Sequence, residues 1–498
     1  MTIHLRKFPN ISIILIIVLV LIGPINADEI KKLNALMSYT TFYSPESGPF
    51  IETYLSVRGN SVEFVKNENQ KFQASIQVII LFKKSDEIVN YDKYELFSPE
   101  LEDTTQINFS FIDQQRYSLP QGSYDFELQI WDKNSKAKPY INLQPLTIYY
   151  PDDEVTISGI QLIESFEPTK ETGILTKGGY DLIPYIVNFY PEHINKITYY
   201  GEIYNTKDKL GDEGKYLLTS YITKMEKDQP LASYITYKKE TTGDVTVVFS
   251  EFDITNLKSG NYFLSIEARD RNNELIAKNR IFFQRSNPRI QLRVEDIATI
   301  NINNSFAQRI NNLDTLANYI ACLDPISDDQ ERSFALTHLQ TADIGTLQKY
   351  FHKFWSDRDQ LQPEMAWNNY LSEVNKVNLA YSTMISKGFE TDRGRVYLKY
   401  GPPNAISESY NEPATYPYEI WHYYELENGQ RNKRFIFYAK DIVTNDFMLL
   451  HSDVSGELAN YRWQYYLYQR VDPGFNIDQG AGADSWGGNS KRYFDLPR

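Results

Sequence analysis

The first half of the chain reads as short strands separated by turns. From Asp28 to about residue 286, segments such as ASIQVIILFKK, YDFELQIWDK, NKITYYGEIYN and YFLSIEARD alternate between polar and apolar residues or are continuously apolar. Such patterns predict antiparallel sheets that bury one face. The composition agrees, because 38 Tyr and 27 Phe are residues that favour strands.

An internal repeat divides this half. The segment LPQGSYDFELQIWDKN matches LKSGNYFLSIEARDRN at one constant offset, with the identical pairs Leu119/Leu257, Gly122/Gly260, Tyr124/Tyr262, Asp132/Asp270 and Asn134/Asn272. Leu-x-x-Gly-x-Tyr resembles the tyrosine corner of immunoglobulin-like folds, and Asp-x-Asn is typical of a hairpin turn. We predict two tandem Ig-like antiparallel β-sandwiches, residues 28–150 and 151–286. One large β-domain with a chance repeat is the alternative.

Helical spacing of apolar residues takes over after residue 286. The predicted helix starts are Ser305 with Gln308, Ser327 with Gln330, Asp343, and Pro363. The fourth helix carries an apolar stripe from Trp367 to Ile385, and Gly388 is its expected C-terminal cap. Strands return in RVYLKYG, YEIWHYY, RFIFYAK and FMLLHSD, which predict an antiparallel meander packed on that helix. The prediction is a helical connector over 287–344 and an α+β domain over 345–498.

The segment GFETDRGRVYLKYGPPNAI, from Gly388 to Ile406, resembles the signature of the GWxTD domain family, with Phe389 in place of the tryptophan. The upstream FWSDRDQ and the downstream YEIWHYY and FIFYAKD are also similar to that family, so the resemblance covers residues 345–498. It implies an exported, uncharacterised envelope protein of Bacteroidota-type bacteria. It brings no established activity with it.

Residues 1–27 have the pattern of a signal peptide. Arg6 and Lys7 precede the apolar run ISIILIIVLVLIG, and Ala27 is a small residue at the expected cleavage point. A membrane anchor is the alternative, but the run is shorter than the about 20 residues that a span needs. We expect a mature chain that begins at Asp28, has no later membrane span, and is periplasmic or extracellular.

Composition limits the chemistry that the chain can perform. A net charge of −14 argues against binders of nucleic acid or anionic membranes, and a single cysteine excludes a disulfide scaffold and cysteine-ligated metal sites. The common catalytic and nucleotide-binding motifs are missing, and the histidines are scattered singly. We therefore assign no catalytic residue, metal or cofactor. The expected partners are envelope proteins or glycans, and not nucleic acid.

The signature is the best candidate for a binding or structural motif, with the residues Gly388, Phe389, Thr391, Asp392, Arg393, Gly394, Arg395, Tyr400, Gly401, Pro402 and Pro403. In a binding interpretation, an arginine takes a carboxylate or phosphate in a pocket near Trp421 and Tyr423. In a structural interpretation, Asp392 pairs with an arginine, and Phe389 fills the seam between the long helix and the sheet. We favour the structural interpretation and a non-catalytic binding or scaffolding protein. A hydrolase acting on wall or glycan material is the alternative, so the enzyme question stays open.

Overall fold

The computed structural model describes residues 33–85, 87–225, 228–441, 444, 446–468 and 489–495. The predicted signal peptide, residues 1–27, lies outside these described residues. Within them, no helix combines the length and the apolar character that crossing a membrane requires. The domain limits inferred from the sequence stay a prediction.

The first β-sandwich packs a three-stranded sheet against a four-stranded sheet. Its strands are β1 Ala35–Ser44, β2 Gly48–Arg58, β3 Val65–Lys66, β4 Phe72–Gln73, β5 Ser75–Lys84, β6 Glu87–Phe97, β7 Ser110–Ser118, β8 Gly122–Asp132 and β9 Tyr140–Ile148. The sheets β1-β2-β7 and β6-β5-β8-β9 are antiparallel throughout. Alternate residues of β5 and β8, such as Val78, Phe126 and Leu128, form the buried core between them.

The second β-sandwich repeats this arrangement. Its elements are β10 Thr156–Ile157, β11 Gln161–Pro168, β12 Thr176–Lys177, β13 Tyr180–Pro184, β14 Phe189–Tyr190, β15 Lys196–Tyr204, α1 Thr206–Leu210, β16 Lys215–Lys224, β17 Pro230–Thr241, β18 Val245–Asp253, β19 Gly260–Arg269 and β20 Leu275–Arg285. The strands β11, β15 and β18 take the places of β1, β2 and β7, and β17-β16-β19-β20 takes the place of β6-β5-β8-β9. The insertion with β12 to β14 lies between β11 and β15. The sequence repeat is therefore a repeat of the fold.

The predicted tyrosine corners are present in both sandwiches. The Tyr124 hydroxyl donates to the Pro120 carbonyl at 2.7 Å, and the Tyr262 hydroxyl donates to the Lys258 carbonyl at 3.0 Å. Each bond spans four residues, so the phenol closes the loop that leads into the strand.

The predicted hairpin turns match as well. The Asn134 N–H donates to an Asp132 carboxylate oxygen, and the Asn272 N–H donates to Asp270, both at 2.9 Å. The repeated residues are thus those that close loops and turns of the same geometry.

The two sandwiches pack against each other through the outer face of the β1-β2-β7 sheet and the outer face of the six-stranded sheet that contains β11, β15 and β18. An apolar cluster joins them, made of Phe42, Ile163, Leu182 and Tyr200. The Tyr43 N–H donates to the Tyr204 hydroxyl at 3.0 Å across the same interface. The four sheets therefore form one stack.

A buried ionic network lies at the centre of this interface. The Glu52 carboxylate accepts hydrogen bonds from Arg116 at 3.0 Å, from the Tyr54 hydroxyl at 2.7 Å, and from Lys177 of the second sandwich. The Lys177 ammonium also donates to Gln161 at 2.6 Å. Burial lowers the pKa of Lys177, and Glu52 opposes that shift.

The second half combines helices with one further sheet. Its elements are α2 Val294–Ala298, α3 Leu313–Ala321, α4 Asp329–His338, α5 Ile344–Ser356, α6 Pro363–Tyr381, α7 Asp392–Tyr400, β21 Ala405–Ser409, β22 Tyr418–Glu425, β23 Arg431–Tyr438, β24 Met448–Ser452, α8 Trp463–Tyr468 and α9 Ser490–Asp495. The strands form an antiparallel meander in the order β21-β22-β23-β24. The helices α3 to α6 share one apolar core. The predicted order, two sandwiches and then helices that lead into an antiparallel sheet, is confirmed.

Two of the four predicted helix starts are correct. Asp343 caps α5 by accepting a hydrogen bond from the Thr346 N–H at 3.0 Å, and Pro363 is the first residue of α6. At Ser305 the predicted cap is present, because the Gln308 N–H donates to Ser305 Oγ at 3.3 Å, but it starts only the 3₁₀ turn Ala307–Arg309, and the α-helix α3 begins at Leu313.

The cap of α3 is Asn312, which accepts from the Thr315 N–H at 2.8 Å. The start of α4 is one residue later than predicted. Asp328 and Glu331 form its capping box, rather than Ser327 and Gln330.

The segment Arg395–Gly401 is not the strand that its alternating pattern predicted. Asp392–Tyr400 forms α7, and the first strand of the sheet is β21. Six alternating residues are too few to separate a strand from one and a half turns of an amphipathic helix. Val396 and Leu398 point to different sides of α7, and both are buried because Val396 packs in the cluster of the sheet and Leu398 in the cluster of the helices.

The long helix ends earlier than predicted. α6 stops at Tyr381, and Met384 and Ile385, assigned to its buried stripe, are 87% and 72% exposed. Gly388 is therefore not its C-terminal cap. It begins a 3₁₀ turn, Gly388–Glu390, seven residues after the helix end.

The C-terminal sheet covers the outer face of the second sandwich. Arg280 of β20 donates to the Asn428 carbonyl at 2.5 Å, in the turn between β22 and β23. A Cβ built on Gly456 would lie 2.6 Å from Met225 Sδ, at the end of β16. Outward-facing side chains of β19 are buried as a result, with Phe263 only 4% exposed.

Candidate functional site

Two glycines let the signature pack backbone against backbone. A Cβ built on Gly388 would lie 2.1 Å from the Val377 carbonyl oxygen of α6, and one built on Gly394 would lie 1.9 Å from the Gly388 carbonyl oxygen. No side chain fits at either position without moving the main chain. The 3₁₀ turn therefore sits directly on α6, and α7 sits directly on the turn.

Phe389 anchors the turn in the helical core. Its side chain is 7% exposed and belongs to the cluster that contains Trp367 and Val377. Its N–H donates to the Asn378 side chain of α6 at 3.2 Å. The predicted position in the seam between helix and sheet is wrong. Val396 and Trp421 belong to the cluster that fills that seam.

Thr391 and Asp392 start α7 and tie it to the sheet. Thr391 Oγ1 accepts from the Gly394 N–H at 3.1 Å and donates to the Gly388 carbonyl at 2.7 Å. The Asp392 carboxylate accepts from the Leu449 N–H of β24 at 2.8 Å. The arginine partner predicted for Asp392 is wrong, because no arginine of the described residues forms an ion pair with it and its bond is to the backbone of the sheet.

Arg393 forms a buried ion pair with Glu419 of β22. The two groups lie 2.7 Å apart and are 6% and 4% exposed. Glu419 also accepts from the Trp421 indole and from the Tyr410 hydroxyl, both at 2.9 Å. The Arg393 guanidinium lies over the Phe447 ring at 4.2 Å from its centroid. The pair joins α7 to the sheet.

The remaining polar groups of α7 converge on Glu457. Arg395 binds its carboxylate through two bonds of 3.1 and 2.9 Å, Lys399 donates at 2.9 Å and the Tyr400 hydroxyl at 2.7 Å. Burial alone would raise the pKa of Glu457, but Arg395 and Lys399 outweigh it and lower the pKa to about 2. This carboxylate is ionised and fully engaged at neutral pH.

Gly401, Pro402 and Pro403 end α7 and lead into β21. Gly401 has a φ of +80°, a left-handed conformation that stops the helix without strain. Its carbonyl accepts from the Tyr423 hydroxyl at 2.9 Å. The rigid turn that the sequence predicted here therefore follows a helix, and not a strand.

The space beside these residues is small. A cavity of about 40 Å³ lies against Lys399 and Tyr400, between Met225, Glu427 and Asn428. That volume takes a few water molecules and no sugar or peptide side chain of useful size. In the described ranges, no group of three or more His, Cys, Asp or Glu residues is placed to hold a metal ion.

Sequence reasoning did not identify Glu419 and Glu457. Glu419 carried a signal, because a carboxylate within the apolar strand YEIWHYY must be paired if it is buried. Glu457 lies in a polar turn after β24, where nothing in the sequence distinguishes a buried carboxylate from an exposed one. The candidate residues are brought together, but around two carboxylates that the signature does not contain.

Residues 297–463 match the model of the GWxTD domain, so the chain carries a GWxTD domain. The match takes in α3 and α4, which the sequence resemblance left outside. No curated protein matches the sequence.

Solved structures resemble the chain only distantly. Fibronectin(III)-like modules of Clostridium thermocellum CbhA are 10% identical, with 49% of this chain and 89% of that chain covered and a TM-score of 0.14. A family 2 glycosyl hydrolase of Bacteroides cellulosilyticus is 10% identical over 47% of this chain and 28% of its own, with a TM-score of 0.17. A calcium-binding mutant of β-glucuronidase 2 of Bacteroides uniformis is 8% identical over 46% of this chain and 26% of its own, with a TM-score of 0.17. TM-scores this low carry no inference about function.

Proposed function

We propose that this GWxTD protein is an exported envelope protein that acts by binding or scaffolding, and not by catalysis. The N-terminal signal pattern supports export to the periplasm or beyond. Glycans or envelope proteins are the partners that this location offers.

The engagement of the signature carries the proposal. Its two arginines form ion pairs with Glu419 and Glu457. Asp392 and Thr391 accept hydrogen bonds from backbone N–H groups. A catalytic carboxylate needs a pKa near the working pH and access to substrate. Glu457 has a pKa of about 2, and its partners Lys399 and Tyr400 line a cavity of only about 40 Å³. The signature therefore fits a clasp between helix, turn and sheet.

Replacing Arg395 tests the proposal directly. Arg395→Gln removes the bidentate partner of a buried carboxylate but leaves Lys399 in place, so we expect a cost of about 1.5–3 kcal/mol, the usual loss for hydrogen bonds to a charged group. We expect a large fall in the melting temperature of the C-terminal region, measured by calorimetry on the mature protein. Loss of any cellular phenotype should follow the loss of folded protein.

The matched control is Arg431→Gln, which breaks the exposed pair of Arg431 with Glu425. It should leave melting unchanged, because exposed pairs contribute little. An Arg395→Gln protein that melts like the wild type but has lost its cellular phenotype would contradict the proposal. That result would favour the hydrolase hypothesis.

A further inference from the structure

The solvent face of α6 is unusual for an exposed helix. Met365 and Leu379 are 55% and 91% exposed, and Ser372 lies midway between them. Positions seven residues apart differ by only about 20° around a helix, so all three lie along one line. An exposed helix face normally carries charged residues at such positions.

Neutral amides fill the rest of this face. Asn368, Asn369 and Asn375 are exposed, and the exposed cation Lys376 is paired with Glu373 at 2.7 Å. Depletion of charge is the compositional mark of the core of a protein interface. Because 23% of the residues in the chain are charged, the low charge of this face of α6 indicates that it binds a partner.

Both ends of the face carry apolar features. At the N-terminal end, Met365 and the 92% exposed Leu361 flank a groove of about 470 Å³, which the apolar Phe306 and Pro363 and the polar Glu364 and Asn368 also line. At the C-terminal end, Leu379 continues into the exposed Met384 and Ile385, a projecting segment that we call the knuckle. Met365 and Leu379 are separated by about 21 Å of rigid helix, so one molecule cannot insert its own knuckle into its own groove.

We infer that the occupant of this face is α6 of a second copy of the chain, packed antiparallel about a two-fold axis through Ser372. In that arrangement each groove receives the partner copy's knuckle, and Met365 meets Leu379 twice. Asn369 meets Asn375, so their amides can exchange hydrogen bonds. The small Ser372 lies where the two helices cross, which permits their close approach.

The arrangement stops at a dimer, because a two-fold contact uses the same patch on both copies and leaves none free for a third. The seven-residue spacing favours the shallow crossing angle of about 20° found in helix pairs. A single helix pair buries less surface than the roughly 1,200 Å² of a stable interface, so we expect reversible association in the micromolar range. This inference does not depend on the proposed function.

Charge substitutions at the matched positions test the arrangement. Leu379→Glu or Met365→Lys alone, in the mature chain, should weaken association at least tenfold, measured by sedimentation equilibrium over a concentration series. An equimolar mixture of the two variants should associate again, because Lys and Glu then face each other at one contact and Met and Leu at the other. The double variant should also form dimers.

A cysteine at the axis gives an independent test. Ser372→Cys should form a disulfide-linked dimer on mild oxidation, whereas Ser333→Cys on exposed α4 should not. The native Cys322 is buried and does not interfere. Unchanged melting temperatures serve as the folding control. A wild-type protein that stays monomeric into the high micromolar range, or single variants that associate as well as the wild type, would overturn the inference.

Discussion

The two β-sandwiches have the same strand order but opposite surroundings. In the second, the outer face of the five-stranded sheet β14-β20-β19-β16-β17 is covered by the C-terminal sheet, and Ser265 and Phe263 are 0% and 4% exposed. In the first, the residues at the matching positions are Glu127 and Asp125, and Asp125 is exposed. The repeat has kept the residues that close turns and corners, while the outer faces have diverged according to what covers them. The residues that are identical in the two copies are therefore those that form the fold, and the residues that differ are those that contact the rest of the chain.

The largest effect should come from removing the contact that the two sandwiches share. Glu52→Gln leaves Lys177 buried without a carboxylate, at a cost of about 3–5 kcal/mol. Glu52 belongs to one sandwich and Lys177 to the other, so both should lose stability together in chemical denaturation. Glu251→Gln, which breaks an exposed pair with Lys196, is the control and should change nothing measurable. Destabilisation of one sandwich alone would show that the interface does not couple them.

A matched pair of substitutions probes the covered and the open face. Phe263→Ala should destabilise the protein by about 3–4 kcal/mol, because it empties a buried aromatic site. Asp125→Ala, at the same place in the first sandwich, should stay within about 0.5 kcal/mol of the wild type. Urea unfolding of both variants measures the difference. Equal effects would mean that the two faces are equally buried in solution.

Acid should destabilise the C-terminal domain, whose sheet packs on the second sandwich. The pKa of Glu457 is about 2 in the folded protein and near 4.5 when the group is free, so its ionisation stabilises the fold above pH 4.5. That stability, about 3 kcal/mol, is lost progressively as the pH falls from 4.5 towards 2. Near-ultraviolet circular dichroism during acid titration follows the loss. In Glu457→Gln this acid-dependent step should be absent, and an unchanged step would assign it to other groups.

The smallest effect should be the same in both sandwiches. Tyr124→Phe and Tyr262→Phe each remove one hydroxyl that donates to a loop carbonyl, at a cost of about 1–3 kcal/mol. We expect nearly equal losses by calorimetry, because the corner geometry is the same. Asn272→Ala is the control and should cost little, since it keeps the backbone N–H that donates in the turn, whereas Asn134→Ala also loses a bond to the Glu63 carbonyl. Clearly unequal losses from the two tyrosines would show that burial, and not the shared corner, sets the cost.

Local signals in the sequence predicted local structure well. The repeated Tyr124 and Tyr262 identified the sandwiches, and Asp343 and Pro363 located two helix starts, because corners and caps depend on residues a few positions apart. The strand predicted at Arg395 failed because backbone contact between Gly388 and Gly394 selects a helix there, and no pattern within six residues reports that contact. The partners Glu419 and Glu457 lie 26 and 62 residues from their arginines. An acidic chain offers too many carboxylates to choose between them.

The face-to-face packing of the sandwiches also sets an order of events during synthesis. Glu52 and Lys177 lie 125 residues apart, so at about 5–20 residues per second the ribosome needs roughly 6–25 s to supply the second after the first. In the later part of that interval, once β7 has been made, the outer face of β1, β2 and β7, with Phe42 and Glu52, has no cover. A nascent chain in this state presents an apolar sheet whose Glu52 has Arg116 but still lacks Lys177, which favours capture by a chaperone. Slowing elongation between residues 120 and 180 should therefore lower the yield of soluble protein more than slowing it after residue 204.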